Sequence, residues 1–231
     1  MRYRFDVRAN NPRRELEDTI AAVESRQRAL PSDPLEMTEL ANLYFVRAQL
    51  DGDRRDYDEA EKLARASLAI LPAPNGAAIT LAKLANARHA FRDAIELAHS
   101  YKGRNPVAVP MVLATAYLAL GELDQAARAA NQAVQAKPTP STYLERALVL
   151  QAQGRDVEAA GDFANAVRLE DHGDVLESAR IRTLWGRFLV RRGAYADAKM
   201  VIDEALRISP SNALALSVRG ELALRTGDPK R

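Results

Sequence analysis

The stretch WGRFLVRRGAYADAKMVIDEALRISP, residues 185–210, decides the fold. It starts with a tryptophan followed by a glycine, passes a second glycine, Gly193, and ends at Pro210. The second glycine is followed by Ala198, Ile202 and Ala205. Their offsets of 0, 4 and 7 place them on one face of an α-helix. The pattern predicts two helices joined by a tight turn at the glycine, the second of them ended by the proline.

The same register recurs along the chain. The first of the three offsets is held by an alanine at gaps of 34, 32, 33 and 39 residues: Ala60, Ala94, Ala126, Ala159 and Ala198. Twelve residues later stands Pro72, Pro106, Pro138, Asp171 or Pro210. Five residues before the last three alanines stands Gly121, Gly154 or Gly193, and seven residues before each glycine stands Ala114, Ala147 or Gly186. A small residue at that place lets the partner helix pack close, so the sequence predicts repeated helical hairpins.

These hairpins closely resemble the tetratricopeptide repeat, a unit of roughly 34 residues with a W-x2-L-G-x2-Y, A-x3-F, A and P signature. Residues 185–210 carry the best match. A second match is Leu113-Ala114, Tyr117, Gly121, Leu123, Ala126, Ala130, Ala133 and Pro138. The resemblance covers residues 13–228 and implies an all-α, right-handed αα-superhelix, or solenoid, of about five hairpins with flanking capping helices.

The repeat pattern also predicts the organisation of the chain. We expect an N-terminal arm over 1–12, a capping helix within 13–34, five hairpins over 35–210, and a C-terminal helix within 211–231 that forms the first half of a further repeat. The arm alternates apolar and polar residues, but with no strand to pair with we expect it to be mobile or loosely packed. The predicted helices are 13–29, 35–50, 57–71, 76–88, 91–102, 107–120, 123–136, 141–153, 156–169, 174–191, 195–208 and 212–226.

Composition excludes several classes of function. Lys and Arg total 33 against 31 Asp and Glu, and a formal net charge of +2 argues against a general nucleic-acid binder. With no cysteine, the chain can form neither disulfides nor zinc–thiolate sites. The N-terminal sequence lacks the apolar run of a signal peptide, and no stretch reaches the roughly 18 apolar residues of a membrane helix, so we expect a cytoplasmic protein.

The motifs of common catalytic sites are also missing from the sequence. It contains no glycine-rich phosphate loop, no H-E-x-x-H and no G-x-S-x-G. The three histidines, His89, His99 and His172, do not stand at metal-ligand spacing. We therefore predict a protein that is not an enzyme and that has no cofactor and no metal.

The resemblance implies that the first helix of each hairpin lines a concave face that binds a protein or peptide. The inward positions are Lys83, Asn86, Met111, Thr115, Leu118, Leu144, Leu148, Gln151, Arg180, Thr183, Arg187 and Arg191. The three arginines of this set, Arg180, Arg187 and Arg191, stand at offsets of 0, 7 and 11 and so form one stripe along a helix. Their guanidinium groups would attract carboxylates. We expect a partner with an acidic segment; the alternative is a solvated basic face neutralised by acids of neighbouring helices.

Other functions stay open or are disfavoured. Some relatives clamp chaperone tails with Lys at repeat position 5 and Asn at position 9, but Ile79 and Lys83 stand there, so that clamp is not reproduced. A regulatory domain of a larger enzyme is one alternative, because the repeat after Gly227 looks unfinished. Self-assembly is another, because the last predicted helix is apolar on several sides. RNA binding would need flanking aromatic residues for base stacking, and Trp185 is predicted to point into the hairpin core.

Overall fold

The computed structural model describes residues 2–3, 11–72, 74–171 and 173–227 of the chain. Over those ranges the backbone forms twelve α-helices and no strand, as the repeat pattern predicts. The chain divides into two compact units, one of residues Arg13–Lys137 and the other of Met1–Pro12 together with Pro138–Arg231.

The unit of residues 13–137 is built from consecutive helical hairpins. Its helices are α1 (Pro12–Ala29), α2 (Pro34–Asp51), α3 (Arg54–Ile70), α4 (Ala77–Ala87), α5 (Phe91–Ser100), α6 (Ala108–Ala119) and α7 (Leu123–Ala136). α2 packs on α3 and α4, and α4 packs on α5 and α6, so each hairpin lies beside the next. α1 lies against α2 through Ile20, Val23 and Leu40.

The unit of residues 138–231 continues the pattern with α8 (Pro140–Ala152), α9 (Asp156–Arg168), α10 (Val175–Arg191), α11 (Tyr195–Ile208) and α12 (Ala213–Thr226). α10 contacts α8, α9, α11 and α12. Its core is aromatic: the Phe163 and Trp185 rings stack 6.1 Å apart, and Phe188 lies 5.4 Å from Phe163. Trp185 is buried, as predicted.

Alanines hold the helices of each hairpin together. Ala60, Ala94, Ala126, Ala159 and Ala198 are all fully buried, as the register predicts. Alanine loses no side-chain entropy on burial and allows backbones to approach closely, so it fits a face on which two helices cross.

The turns between hairpin helices use the left-handed backbone. Gly121, Gly154 and Gly193 have φ values of 76°, 73° and 75°. In the second hairpin His89 takes the same place with φ 62°. The backbone N–H after the turn residue bonds back into the first helix, as in Glu122 N to Tyr117 O at 2.9 Å.

Helix starts follow capping side chains. α3 begins at Arg54, three residues before the predicted start, because Asp53 caps it and accepts from the Arg55 N–H at 2.9 Å. Asn75 holds the start of α4: its Oδ1 accepts from Ala77 N at 2.9 Å, and its Nδ2 donates to Ser67 Oγ at 2.8 Å. Asn75 and Ser67 are both buried, so this network fixes α4 against the end of α3.

The N-terminal arm differs from expectation at Tyr3. Tyr3 is buried, with 3% of its surface exposed, although we expected a loosely packed arm. Residues 4–10, on which the rest of that expectation falls, lie outside the described part of the chain. On α12 three leucines stay exposed, Leu214, Leu216 and Leu224. No helix among the described residues is long and apolar enough to cross a membrane.

Candidate protein-interaction surface

The first helices of the hairpins contact one another within each unit. α2, α4 and α6 are neighbours in the unit of residues 13–137, and α8, α10 and α12 are neighbours in the other. These helices carry every residue that the sequence analysis assigns to a partner. We call the exposed and half-buried residues of these first helices the inner face of each unit.

In the first unit, Lys83 on α4 is the most unusual polar residue. It is half-buried, and its Nζ donates to Asn42 Oδ1 at 3.4 Å. Burial lowers the pKa of Lys83, and none of the described carboxylates forms a salt bridge with it. A cation that is desolvated without an acidic partner can bind a carbonyl or carboxylate oxygen of a ligand.

Asn86 lies one turn further along α4. Its Nδ2 donates to the Val112 carbonyl at 3.1 Å and so ties α4 to α6. Its Oδ1 is buried and has no hydrogen-bond donor among the described residues. On α6, Met111 and Leu118 are half-buried and Thr115 is exposed, with its hydroxyl donating to the Met111 carbonyl at 3.2 Å.

The second unit brings only part of the predicted set to its surface. Leu144 is fully buried in a core with Ile181 and Phe163, because α10 packs over that side of α8. Thr183 is also buried, and its hydroxyl donates to the Ala179 carbonyl at 2.8 Å. These two side chains are not available to a partner in this structure, which corrects the prediction for them. Leu148 and Gln151 are half-buried on α8.

The arginine stripe of α10 reaches the surface. Arg180 and Arg191 are exposed and Arg187 is half-buried. Burial, and then the charge of Arg191, lower the pKa of Arg187, and the charge of Glu221 on α12 partly opposes them. None of the acidic side chains in the described ranges lies within salt-bridge distance of the three arginines.

Several other arginines of the same unit do have carboxylate partners. Each of the following has a carboxylate partner at 2.5–2.9 Å: Arg146 with Asp162, Arg182 with Glu170, Arg192 with Asp156, Arg207 with Glu204 and Arg225 with Glu221. Acids of the same helix or of a neighbouring segment therefore pair with these five arginines, whereas the arginines of the stripe have no carboxylate within salt-bridge distance among the described residues.

Sequence reasoning missed the buried ion pair between Arg182 and Glu170. Arg182 has no exposed surface, and its Nη1 lies 2.6 Å from Glu170 Oε2. One signal was present, because a charged residue stands three places before Trp185, on the helix face assigned to the core. Its partner Glu170 lies twelve residues upstream, in the loop after α9, and had no local signal.

The described side chains offer no metal centre. No group of three or more His, Asp or Glu residues in the ranges given above is arranged to hold a metal ion. His172 lies outside those ranges. What the inner faces provide is hydrogen-bond donors, unpaired positive charge and half-buried apolar side chains, which suit binding.

Known proteins resemble this chain in sequence. A model of the tetratricopeptide repeat matches residues 111–173 and 183–231. The DnaJ homolog subfamily C member 3 of Gallus gallus is 27% identical over 128 residues, which cover 51% of this chain and 25% of that protein. The chain thus spans about a quarter of the length of this relative.

Solved structures agree on the fold. A thermophilic TPR protein of Thermus thermophilus has a TM-score of 0.68 at 23% identity, with 84% of this chain and 98% of that chain covered. A tetratricopeptide repeat protein of Parabacteroides merdae has a TM-score of 0.71 at 14% identity, with 91% and 78% covered. The predicted all-α repeat fold is therefore confirmed. In-phase hairpins run through the described residues and the repeat model matches two stretches of the sequence, which together support the tetratricopeptide repeat family for this chain.

Proposed function

We propose that this protein is an interaction scaffold whose inner faces bind a segment of another protein, without catalysing a reaction. The observation that carries the proposal is the arginine stripe, Arg180, Arg187 and Arg191, which lacks carboxylate partners among the described residues. The guanidinium of Arg187 is partly removed from water and is repelled by the like charge of Arg191. The stripe therefore lowers the stability of the folded protein unless an anion binds there.

The chemistry of the stripe points to an acidic peptide segment. Guanidinium groups bind carboxylates through two parallel hydrogen bonds, and these bonds are about twice as strong as neutral ones. Three arginines along one helix would bind acidic side chains spaced along an extended or helical segment. Leu148 on neighbouring α8 adds half-buried apolar surface to the same unit.

The inner face of residues 13–137 supports binding of a different character. Lys83 offers a hydrogen-bond donor, and Met111 and Leu118 offer apolar surface. A donor beside apolar groups suits a peptide carbonyl with an apolar side chain next to it. We propose that both inner faces contribute to partner binding, in a cytoplasmic setting that a cysteine-free chain tolerates.

Affinity capture with the full chain, followed by cross-linking mass spectrometry, tests this function. We expect cross-links from a captured acidic segment to α10, and we expect Arg191→Glu to weaken capture at least tenfold because it reverses a charge on the stripe. Arg168→Glu is the matched control, since it reverses an arginine on α9, outside the inner face. Equal capture by both variants, or cross-links confined to α9 and α11, would contradict the proposal.

Self-association through α12 is a second candidate. Its Leu224 is 74% exposed, and Leu214 and Leu216 are also exposed. Apolar side chains grouped on one helix favour contact with a second copy. Light scattering over a concentration series tests this: we expect a mass increase that Leu224→Glu abolishes, and a constant monomer mass would exclude it.

A further inference from the structure

Tyr3 occupies a pocket formed by residues that are far from it in sequence. Its ring packs with Val175 and Ala179 of α10 and with Ile208 at the end of α11, and all four residues are buried. This cluster lies within the unit that contains Met1–Pro12 and Pro138–Arg231. A segment outside the helical repeats therefore reaches into the α10–α11 hairpin.

Polar and charged side chains line part of the pocket. The guanidinium of Arg182 lies 5.6 Å from the centre of the Tyr3 ring and pairs with Glu170. The Tyr3 hydroxyl hydrogen-bonds to Ser178. Burial raises the pKa of Tyr3, and the nearby charge of Glu170 raises it further, so the pocket favours a neutral phenol.

The main chain of Tyr3 is also held. Its N–H donates to the Glu204 carboxylate, and its carbonyl accepts from Arg207 Nη2 at 3.4 Å. Glu204 and Arg207 pair with each other at 2.7 Å, so α11 presents an acceptor and a donor side by side. Such a pair can engage the N–H and the C=O of one residue of an extended segment, whatever chain that residue belongs to.

The pocket is separate from the arginine stripe. Val175, Ser178, Ala179 and Arg182 follow a helical spacing along α10, and all are buried there. Arg180, Arg187 and Arg191 occupy the exposed and half-buried positions of the same helix. Binding in the pocket thus does not require the inner face.

We propose that the α10–α11 pocket is a second binding site, specific for an extended peptide segment that presents a tyrosine, and that the chain's own residues 2–3 are its resident, displaceable ligand. An aromatic ring over a guanidinium, a hydroxyl partner and two main-chain hydrogen bonds make a complete recognition site for one residue. A tethered ligand competes at an effective concentration of about 1 mM, so an external segment must bind more tightly or be present in excess.

Peptide binding to the full chain tests the proposal. The probe is a fluorescent nonapeptide of residues 1–9, MRYRFDVRA, and its charge-matched control carries Tyr3→Ala. We expect fluorescence anisotropy to show the probe binding to the Tyr3→Ala chain, whose own segment lacks the anchoring ring. The wild-type chain is expected to bind it about tenfold more weakly because its pocket is occupied. The control peptide is expected to bind at least tenfold more weakly than the probe.

Two variants of α11 locate the binding. In the Tyr3→Ala background, Glu204→Ala should weaken probe binding severalfold, since it removes the acceptor for the main-chain N–H. Asp203→Ala, which changes an exposed acid next to it, should leave binding unchanged. Circular dichroism of each variant verifies its helix content. Equal binding of probe and control peptide, or equal binding by the wild-type and Tyr3→Ala chains, would overturn the proposal.

Discussion

Gly186 on α10 and Ile202 on α11 pack so closely that a Cβ atom on residue 186 would lie 2.3 Å from Cδ1 of Ile202. Ile202 is fully buried, so its side chain cannot turn away without disturbing the core. The small residue within the first helix of this hairpin is thus required by the larger one in the second helix. In the preceding hairpin Ala147 and Phe163 hold the corresponding places, and both are fully buried.

Substitution of Gly186 by alanine should destabilise the protein. Overpacking costs about 1–3 kcal/mol, and the better helix propensity of alanine returns about 1 kcal/mol, so we expect a net loss of about 1 kcal/mol. Urea denaturation followed by circular dichroism measures it. In an Ile202→Ala background the same change should be stabilising, because only the propensity gain remains.

Gly161 provides the control for that experiment. It lies inside α9, and a Cβ atom there would meet nothing within 4 Å. Gly161→Ala should therefore raise the free energy of unfolding by about 0.5–1 kcal/mol. If Gly186→Ala stabilised the protein as much as Gly161→Ala does, close packing at Gly186 would not be the reason for its glycine.

Replacement of His89 by glycine should leave the protein more stable than replacement by alanine. The φ of 62° at His89 is a left-handed conformation, in which a Cβ atom is crowded by the backbone. His89→Gly and His89→Ala both lose the edge contact with Phe91, so the difference between them reports the backbone alone. We expect His89→Gly to be more stable than His89→Ala by about 1 kcal/mol in thermal or urea unfolding. No difference between them would mean that the turn relaxes when the histidine is removed.

Lys83 should reduce the stability of the folded protein and serve as a group that binds the partner. Its folded pKa is lowered by burial from the ordinary 10.5, so the folded state releases this proton at lower pH than the unfolded state. The destabilisation is therefore complete below the folded pKa and declines as the pH rises toward 10.5. We expect Lys83→Met to raise the free energy of unfolding at pH 7 by about 1 kcal/mol, and the difference from wild type to shrink in alkaline solution.

Partner capture distinguishes this explanation from a purely structural one. Lys83→Met should weaken capture while it stabilises the fold, whereas a lysine that only packs its methylene groups would leave capture unchanged. Lys62→Met on α3 is the control, because Lys62 is exposed and paired with Glu59. A pH-independent gain from Lys83→Met would show that the charge is not the cause.

The helix pattern could be predicted from sequence because its signals are local. α7 and α11 begin and end at the predicted residues, 123–136 and 195–208, since a turn glycine and a helix-ending residue bound each one. α3 begins three residues before its predicted start, because the Asp53 side chain caps the helix.

The binding surface was only partly predictable, because burial depends on neighbours distant in sequence. Leu144 and Arg187 both hold inward positions of the repeat, yet α10 covers Leu144, whereas Arg187, on α10 itself, stays half-buried. The pocket of Tyr3 had no sequence signal, since its residues come from the arm and from two helices. Periodicity identifies the face of a helix, but the packing of the next helix decides which residues of that face remain accessible.

Removing one partner of the buried ion pair between Arg182 and Glu170 should destabilise the protein more than removing both. Arg182→Met leaves a carboxylate with 5% of its side chain exposed and no guanidinium, and breaking such a pair costs about 3–5 kcal/mol. The double variant Arg182→Met with Glu170→Leu removes both charges and should recover most of that loss, because well-packed apolar residues can replace a buried ion pair. Urea denaturation of the two single variants and the double variant measures the coupling. Additive losses in the double variant would show that Arg182 stabilises the protein through its contacts with Tyr3 and the Ser178 carbonyl rather than through Glu170.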